Sequence, residues 1–431
     1  MGRLRMVKRA FVLAPVAMLA ASLCIAEDRR EARVSMVLDA VETLCNLPDL
    51  TGLEAQNLIP GSWLIEETRQ PPSGEARRIA VTLLLSGADE LLVERRQAGG
   101  FLRQFRVSYA ESRETGPEPS LLAIADGSCT VQSGRELRSD GPVWRFLDQL
   151  EGDLTTLRWT ETLQAPWPEA KDRAGVRVGL VDSGLAYDLP IFRDRLARDA
   201  SGTPLGYDFW DLDPWPYDGD VSRGAFLPIR HGTAVASVLA REAPSADLVP
   251  YRYPRPDMAR MADLVAHAAE AGVRVLAMPL GSRRKEDWES FAAAIVKHDI
   301  LAIVSAGNDG RDIDAEPVYP AALPLDQFLV VTSADEFGRL AQGSNWGGES
   351  VDIMLPAENL EIVDFRGATG VASGSSYAVP RIAAMAARIL ERHPDLTAAA
   401  LKDRILASAT PSPFERDGVV AAGWLPNPLD D

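Results

Sequence analysis

Histidine, cysteine, basic charge and long apolar runs are all scarce in this sequence, and each shortage narrows what the protein can be. Three cysteines, Cys24, Cys45 and Cys129, allow at most one intrachain pair, which excludes a disulfide-dense scaffold. Lys and Arg number 45 against 62 Asp and Glu, a net charge of −17. That balance argues against nucleic acid or anionic lipid as a partner. The one extended apolar run, Ala10 to Ile25, is broken only by Pro15 and Ser22. At about 16 residues it is short for a membrane span. Arg3, Arg5, Lys8 and Arg9 precede it, and Ala26 leads into Glu27-Asp28-Arg29-Arg30. This is the pattern of a secretory signal, residues 1–26, cleaved after Ala26. The expectation is an exported protein, periplasmic or extracellular, with no stable membrane insertion after cleavage. Cys45 and Cys129 would then remain, and an exported protein is expected to join them as a disulfide.

At 431 residues, with 46% hydrophobic and 25% charged residues, the chain has the composition of a globular protein too long for one core. Residues 27–165 begin with helical spacing from Arg33 to Cys45. Short β-like runs follow at Ile79 to Leu85, Glu90 to Gln97, Phe101 to Ala110 and Ser120 to Ala125, separated by turn signals. The spacing predicts a β-rich (α+β) domain, an antiparallel meander or small barrel. Arg69 to Ser73 and Gly116 to Pro119 read as loops, and Asp140 to Leu157 as a helix and linker. Pro166-Trp167-Pro168 marks the boundary.

Residues 166–431 alternate apolar runs with amphipathic segments. The runs are Val176 to Val181, Asp247 to Tyr251, Val273 to Met278, Ile300 to Ser305, Phe328 to Thr332 and Val351 to Leu355. Helical patterns lie at Thr233 to Arg241, Met258 to Glu270 and Asp287 to Lys297. This order predicts an α/β domain: a parallel sheet with helices on both faces, its site beyond the carboxyl ends of the strands.

Four residues fall at such places. Asp182 ends a strand and precedes Ser183-Gly184. Of the four histidines, His267, His298 and His393 have surface or capping explanations. His231 alone opens an apolar helix from a Gly-flanked turn. Asn308 follows Ser305-Ala306-Gly307. Ser376 lies in Gly374-Ser375-Ser376-Tyr377-Ala378-Val379-Pro380 at a turn-to-helix junction, where a simple N-cap is the competing reading. A serine hydroxyl needs a general base, an imidazole can be that base, a carboxylate can orient it, and an amide can face an oxyanion. The chain order Asp, His, Ser is a known triad order. The order Ser, acid, His fails on local evidence: His393 is the only histidine after Ser376, no Asp lies between them, and no Gly-x-Ser-x-Gly surrounds Ser376.

Those residues and their neighbours resemble the subtilisin-like serine proteases (subtilases, peptidase family S8) over roughly residues 170 to 425. Val178 to Gly184, His231 to Ala236, Ser305 to Gly310 and Gly374 to Pro380 resemble the four motifs of that family in order. Softer echoes lie at Gly206 to Phe209, Tyr319 to Ala321 and Ser344 to Gly347. The resemblance implies a subtilisin-like three-layer fold and an exported endopeptidase without a cofactor, acting on protein or peptide substrates. In it Asp182 orients, His231 is base and acid, Ser376 is the nucleophile and Asn308 the oxyanion donor. Met278, Pro279, Leu280 and Gly281 would form the substrate-pairing strand. Val318 would line the first specificity pocket, leaving it shallow and suited to small side chains. Pro279, Ser375, Tyr377, Ala234 and Ser237 depart from the family pattern. Asp211, Asp213, Asp218 and Asp220 read as a solvated acidic loop rather than a calcium cage, so no metal is expected. Residues 27–165 read equally as a removed pro-domain or a retained accessory domain. The rival reading is a catalytically silent binding protein of this fold whose N-terminal domain recruits a protein partner.

Overall fold

Two hydrophobic patterns in one chain give two cores. In this computed structural model the described residues are 13–73, 76–169, 173–414 and 418–430. The chain divides into Met1–Thr162 and Leu163–Asp431, slightly before the boundary expected after residue 165. Of the expected signal segment, the first twelve residues lie outside the described residues and only helical backbone is described from Leu13 to Ala26. No helix among the described residues is long and apolar enough to cross a membrane.

The first unit starts with α1 (Leu13–Leu44) and α2 (Gly52–Leu58). Eight strands follow: β1 (Trp63–Ser73), β2 (Ala76–Leu84), β3 (Glu90–Ala98), β4 (Phe101–Arg113), β5 (Gly116–Ala125), β6 (Val131–Asp140), β7 (Trp144–Leu150) and β8 (Leu157–Gln164). They form one sheet in sequential order, a meander. Val34, Val37, Val41 and Leu44 of α1 face Ile79, Val81, Leu91, Val93, Phe105 and Val107 in one buried cluster. Cys45, just past α1, is disulfide-bonded to Cys129 in the turn between β5 and β6, 84 positions away.

Three loop or helix expectations fail here. Arg69 to Ser73 belongs to β1, which is an edge strand, so Pro71 and Pro72 withhold no hydrogen bond from a second neighbour. Gly116 to Pro119 belongs to β5. Its Pro117 and Pro119 pair with β4 alone, because β6 reaches only to Leu121. Within Asp140 to Leu157 the chain forms β7, paired antiparallel with β6. Gly141 takes a positive φ of 68° in the connecting turn, and Arg138 lies 4.6 Å from the Phe146 ring centroid across the strands. Such cross-strand partners stabilise a strand without leaving any periodic trace in its own sequence.

The second unit runs β9 (Arg177–Asp182), α3 (Pro190–Arg193), β10 (Tyr207–Asp208), α4 (Gly232–Glu242), β11 (Asp247–Arg252), α5 (Met261–Glu270), β12 (Val275–Met278), α6 (Glu289–His298), β13 (Leu301–Ser305), β14 (Phe328–Ala334), β15 (Ile353–Pro356), β16 (Leu360–Val363), β17 (Thr369–Ala372), α7 (Ser375–Arg392) and α8 (Ala398–Leu406). Seven strands make one sheet in the order β10-β11-β9-β12-β13-β14-β15. Every pair in it is parallel. Alternate strand residues feed two layers. Val178, Leu180, Val275, Ala277, Ile303 and Val331 pack with α4, α7 and α8. Val181, Leu276, Met278, Val304 and Val330 pack with α5 and α6. The three-layer α/β arrangement expected from the alternating runs is present. Helix α7 is buried from Ala378 to Ala387, and each fully buried Ile or Leu side chain contributes on the order of 2 kcal/mol.

Candidate active site

The carboxyl ends of β9, β11 and β12 and the amino ends of α4 and α7 converge on one cleft of about 310 Å³, lined by Asp182, His231, Tyr253, Pro279, Leu280, Gly281 and Ser376 among others. Asp182 is the last residue of β9. His231 occupies the N-cap position of α4. Its Nδ1 lies 2.9 and 2.8 Å from the two carboxylate oxygens of Asp182. A carboxylate can only accept here, so Nδ1 carries the proton and Nε2 is left as the basic nitrogen. Burial works against the imidazolium, but the charge and hydrogen bond of Asp182, with the charge of Asp218, outweigh it. His231 is pushed up from 6.5 to about 8. Close packing enforces this approach: a Cβ on Gly232 would lie 2.0 Å from the carbonyl oxygen of Gly184 and 3.0 Å from the Asp182 Cβ.

Ser376 is half-buried in the first turn of α7. The residue before it, Ser375, is fully buried and holds Asn308. The Ser375 N–H and hydroxyl both donate to Asn308 Oδ1, at 2.9 Å each. A backbone N–H cannot accept, so the amide oxygen must face it and the Asn308 N–H₂ must point the other way. The Ser305 hydroxyl lies 2.7 Å from that of Ser375 and also accepts the Gly307 N–H. Buried Asn345 clamps the same loop, accepting the N–H groups of Asp309 and Arg311 and donating to the Ala306 carbonyl.

The structure treats the remaining expected residues differently. Pro279, Leu280 and Gly281 line the cleft. Leu280 and Gly281 form no backbone hydrogen bond among the described residues, so that stretch is open to an extended chain. Ser282 next to it is paired with Tyr319. Met278 is wholly buried in the core. Val318 packs in the same core beneath Gly281 and is not among the cleft-lining residues. The acidic stretch, expected to be solvated, is so only at its start, where Asp211 is exposed and Asp213 half-buried. Asp218 is fully buried, Asp220 nearly so, and Asp211 pairs with Arg252. These carboxylates are taken up by protein donors, because a buried charge must be paired or hydrogen-bonded to persist. Asp218, Ser183, Ser305 and Asn345 brace this candidate site without being marked out by the sequence reading. The signals in sequence were Ser183 directly after Asp182 and the isolated Ser344-Asn345-Trp346-Gly347 echo.

A parallel α/β sheet carrying an acid–imidazole pair, a helix-start serine and an oriented amide at its carboxyl edge defines a class of hydrolase-like sites. The subtilase family model matches residues 173–423, more than half of the chain, and the chain belongs to that family. It is 25% identical over 236 residues to a thermophilic serine proteinase of Bacillus sp. (strain AK1), covering 51% of this chain and 53% of that protein. It is 28% identical over 258 residues to the halolysin-like extracellular serine protease Nep of Natrialba magadii, covering 56% and 45%. A cold adapted subtilisin-like serine proteinase of known structure aligns with a TM-score of 0.49 at 22% identity, over 61% of this chain and 92% of that one. The chain spans about half the length of the curated relatives it matches first.

Proposed function

We propose that this protein is an exported serine endopeptidase that hydrolyses peptide bonds through an acyl-enzyme. The observation that carries this is His231 Nδ1 seated on both oxygens of Asp182 in the cleft that Ser376 also lines. In this reading Nε2 of His231 takes the Ser376 proton as Oγ attacks the carbonyl, then returns it to the leaving amine. The Asn308 N–H₂, turned by Ser375, donates to the oxyanion. The open backbone of Leu280 and Gly281 accepts the substrate as an added strand. Met278, buried beneath, would support that strand from within the core. Val318 would limit depth under Gly281 and favour small side chains before the cut. Residues 1–26 act as the export signal, which agrees with the extracellular description of the Natrialba relative. Residues 27–165 serve as a pro-domain or an accessory domain.

The test is labelling of the signal-less protein by a fluorophosphonate, beside Ser376→Ala. Labelling of the parent alone is expected. No labelling of a folded parent would favour the silent binding protein instead.

A further inference from the structure

Helix α4 begins with an unusual difficulty. Its N-cap residue is His231, and the N-cap side chain makes no capping hydrogen bond, because the imidazole is committed to Asp182. The first N–H groups of a helix need acceptors and carry positive partial charge. Asp218, in the loop 13 residues before the cap, supplies acceptors. Its carboxylate is wholly buried. Oδ2 accepts the Thr233 N–H at 3.1 Å and the Thr233 hydroxyl at 2.5 Å. Oδ1 accepts the Ser183 hydroxyl at 2.7 Å and the His231 N–H at 3.3 Å. Ser183 Oγ in turn accepts the N–H groups of His231 and Gly232 at 3.1 and 2.9 Å. Ser183 is covalently next to Asp182. One carboxylate therefore ties the strand end that carries the acid to the helix start that carries the imidazole.

We propose that Asp218 is a positioning residue for catalysis, fixing the Asp182–His231 geometry through Ser183 and the cap of α4. The proposal rests on the peptidase reading above. A merely structural cap would affect folding alone, whereas this arrangement also places a second negative charge beside the imidazole. The charged or titratable groups around His231 are Asp182 on β9, Asp218 before α4, its chain neighbour Arg230, Tyr377 on α7, and Asp220, Tyr253 and Arg255 along the cleft. Of these, Asp182 and Asp218 hold its proton.

Asp218→Asn keeps the size and one acceptor but sets an N–H₂ against donors and removes the charge. In the full chain, kcat on a peptide anilide should fall on the order of 10–100-fold, the scale of a sub-ångström to ångström misplacement. KM should stay within about twofold, since no substrate contact is lost. The acid limb of the pH–rate profile should move down from about 8. The same downward move should appear in a ¹⁵N-imidazole NMR titration of His231 in the Ser376→Ala background. Unchanged kcat and unchanged His231 titration, with only a lower Tm, would overturn the proposal. Should Asp218→Asn not fold, Ser183→Ala removes the relay and its acceptor for two N–H groups at the start of α4 while leaving the Asp218 carboxylate in place, and it should lower kcat more than it changes KM; an unchanged kcat there overturns it equally. If the parent neither labels nor hydrolyses, the peptidase reading has failed, and the NMR titration still decides the hold of Asp218 on His231.

Discussion

His231 sets the sign of the pH dependence. Its folded pKa, about 8, exceeds its ordinary 6.5. The stability gained from its pairing with Asp182, at most about 2 kcal/mol, is therefore fully present below 6.5 and lost as pH rises through 8. In the proposed peptidase His231 must be neutral to act as base, so activity is expected to run the opposite way and rise through the same range. We expect kcat/KM on a peptide anilide to climb from pH 6 to 9 with an apparent pKa near 8. A profile already flat from pH 6.5 upward would show that His231 is not raised, or not the base. At this scale the sequence was legible where chemistry and local turn coincide. Asp182, His231, Asn308 and Ser376 each stand at a Gly-marked strand end or helix start. Asp218 was not legible, because its partners are Ser183, 35 positions before it, and Thr233, 15 after. Nothing local distinguishes it from Asp211 or Asp213.

The turn from β17 into α7 shows how an element carries the chemistry. Gly374 has φ 121° and ψ 169°, a region that residues with a Cβ scarcely enter. A Cβ there would also lie 3.1 Å from Asn308 Oδ1 and 3.5 Å from its Nδ2. Gly374→Ala should cost about 1–3 kcal/mol in backbone strain and displace the Asn308 amide. We expect kcat to fall by about 10²–10³, the cost of a lost oxyanion donor, with KM little changed. A variant with a lower Tm but parental kcat would mean that Asn308 does not depend on this turn. The elements of the second unit were legible because β9, β11, β13 and β14 are buried on both faces and read as unbroken apolar runs. The meander was less so. Pro71, Pro72, Pro117 and Pro119 suggest loops until the missing neighbour strand beside each is known. Similarly, β7 is defined by its pairing with β6 rather than by its own pattern.

For the whole molecule, the disulfide distinguishes the two units. Both cysteines lie in the first unit, and after Cys129 the chain has none. The bridge fastens the end of α1, whose Arg30 and Arg33 pair with Glu136 of β6, to the β5–β6 turn. The sheet's order is sequential, so without the bridge the helix is held to it by packing, by such ion pairs and by the Arg95 hydrogen bond to the Cys45 carbonyl. Cross-linking across 84 positions stabilises by up to about 4.6 kcal/mol in the chain-entropy account. The second unit has its own double-layered core and no sulfur bridge. Calorimetry with and without reductant should therefore resolve two transitions and lower only the one belonging to residues before 163. Cleavage of a small anilide, followed through that lower transition, then bears on what the first unit does. Activity that persists means the folded second unit hydrolyses alone, and the meander acts on larger substrates or on maturation. Activity lost at the lower transition means the second unit depends on the first after folding, as a retained domain. One transition that moves as a whole on reduction would instead contradict the independence of the two cores.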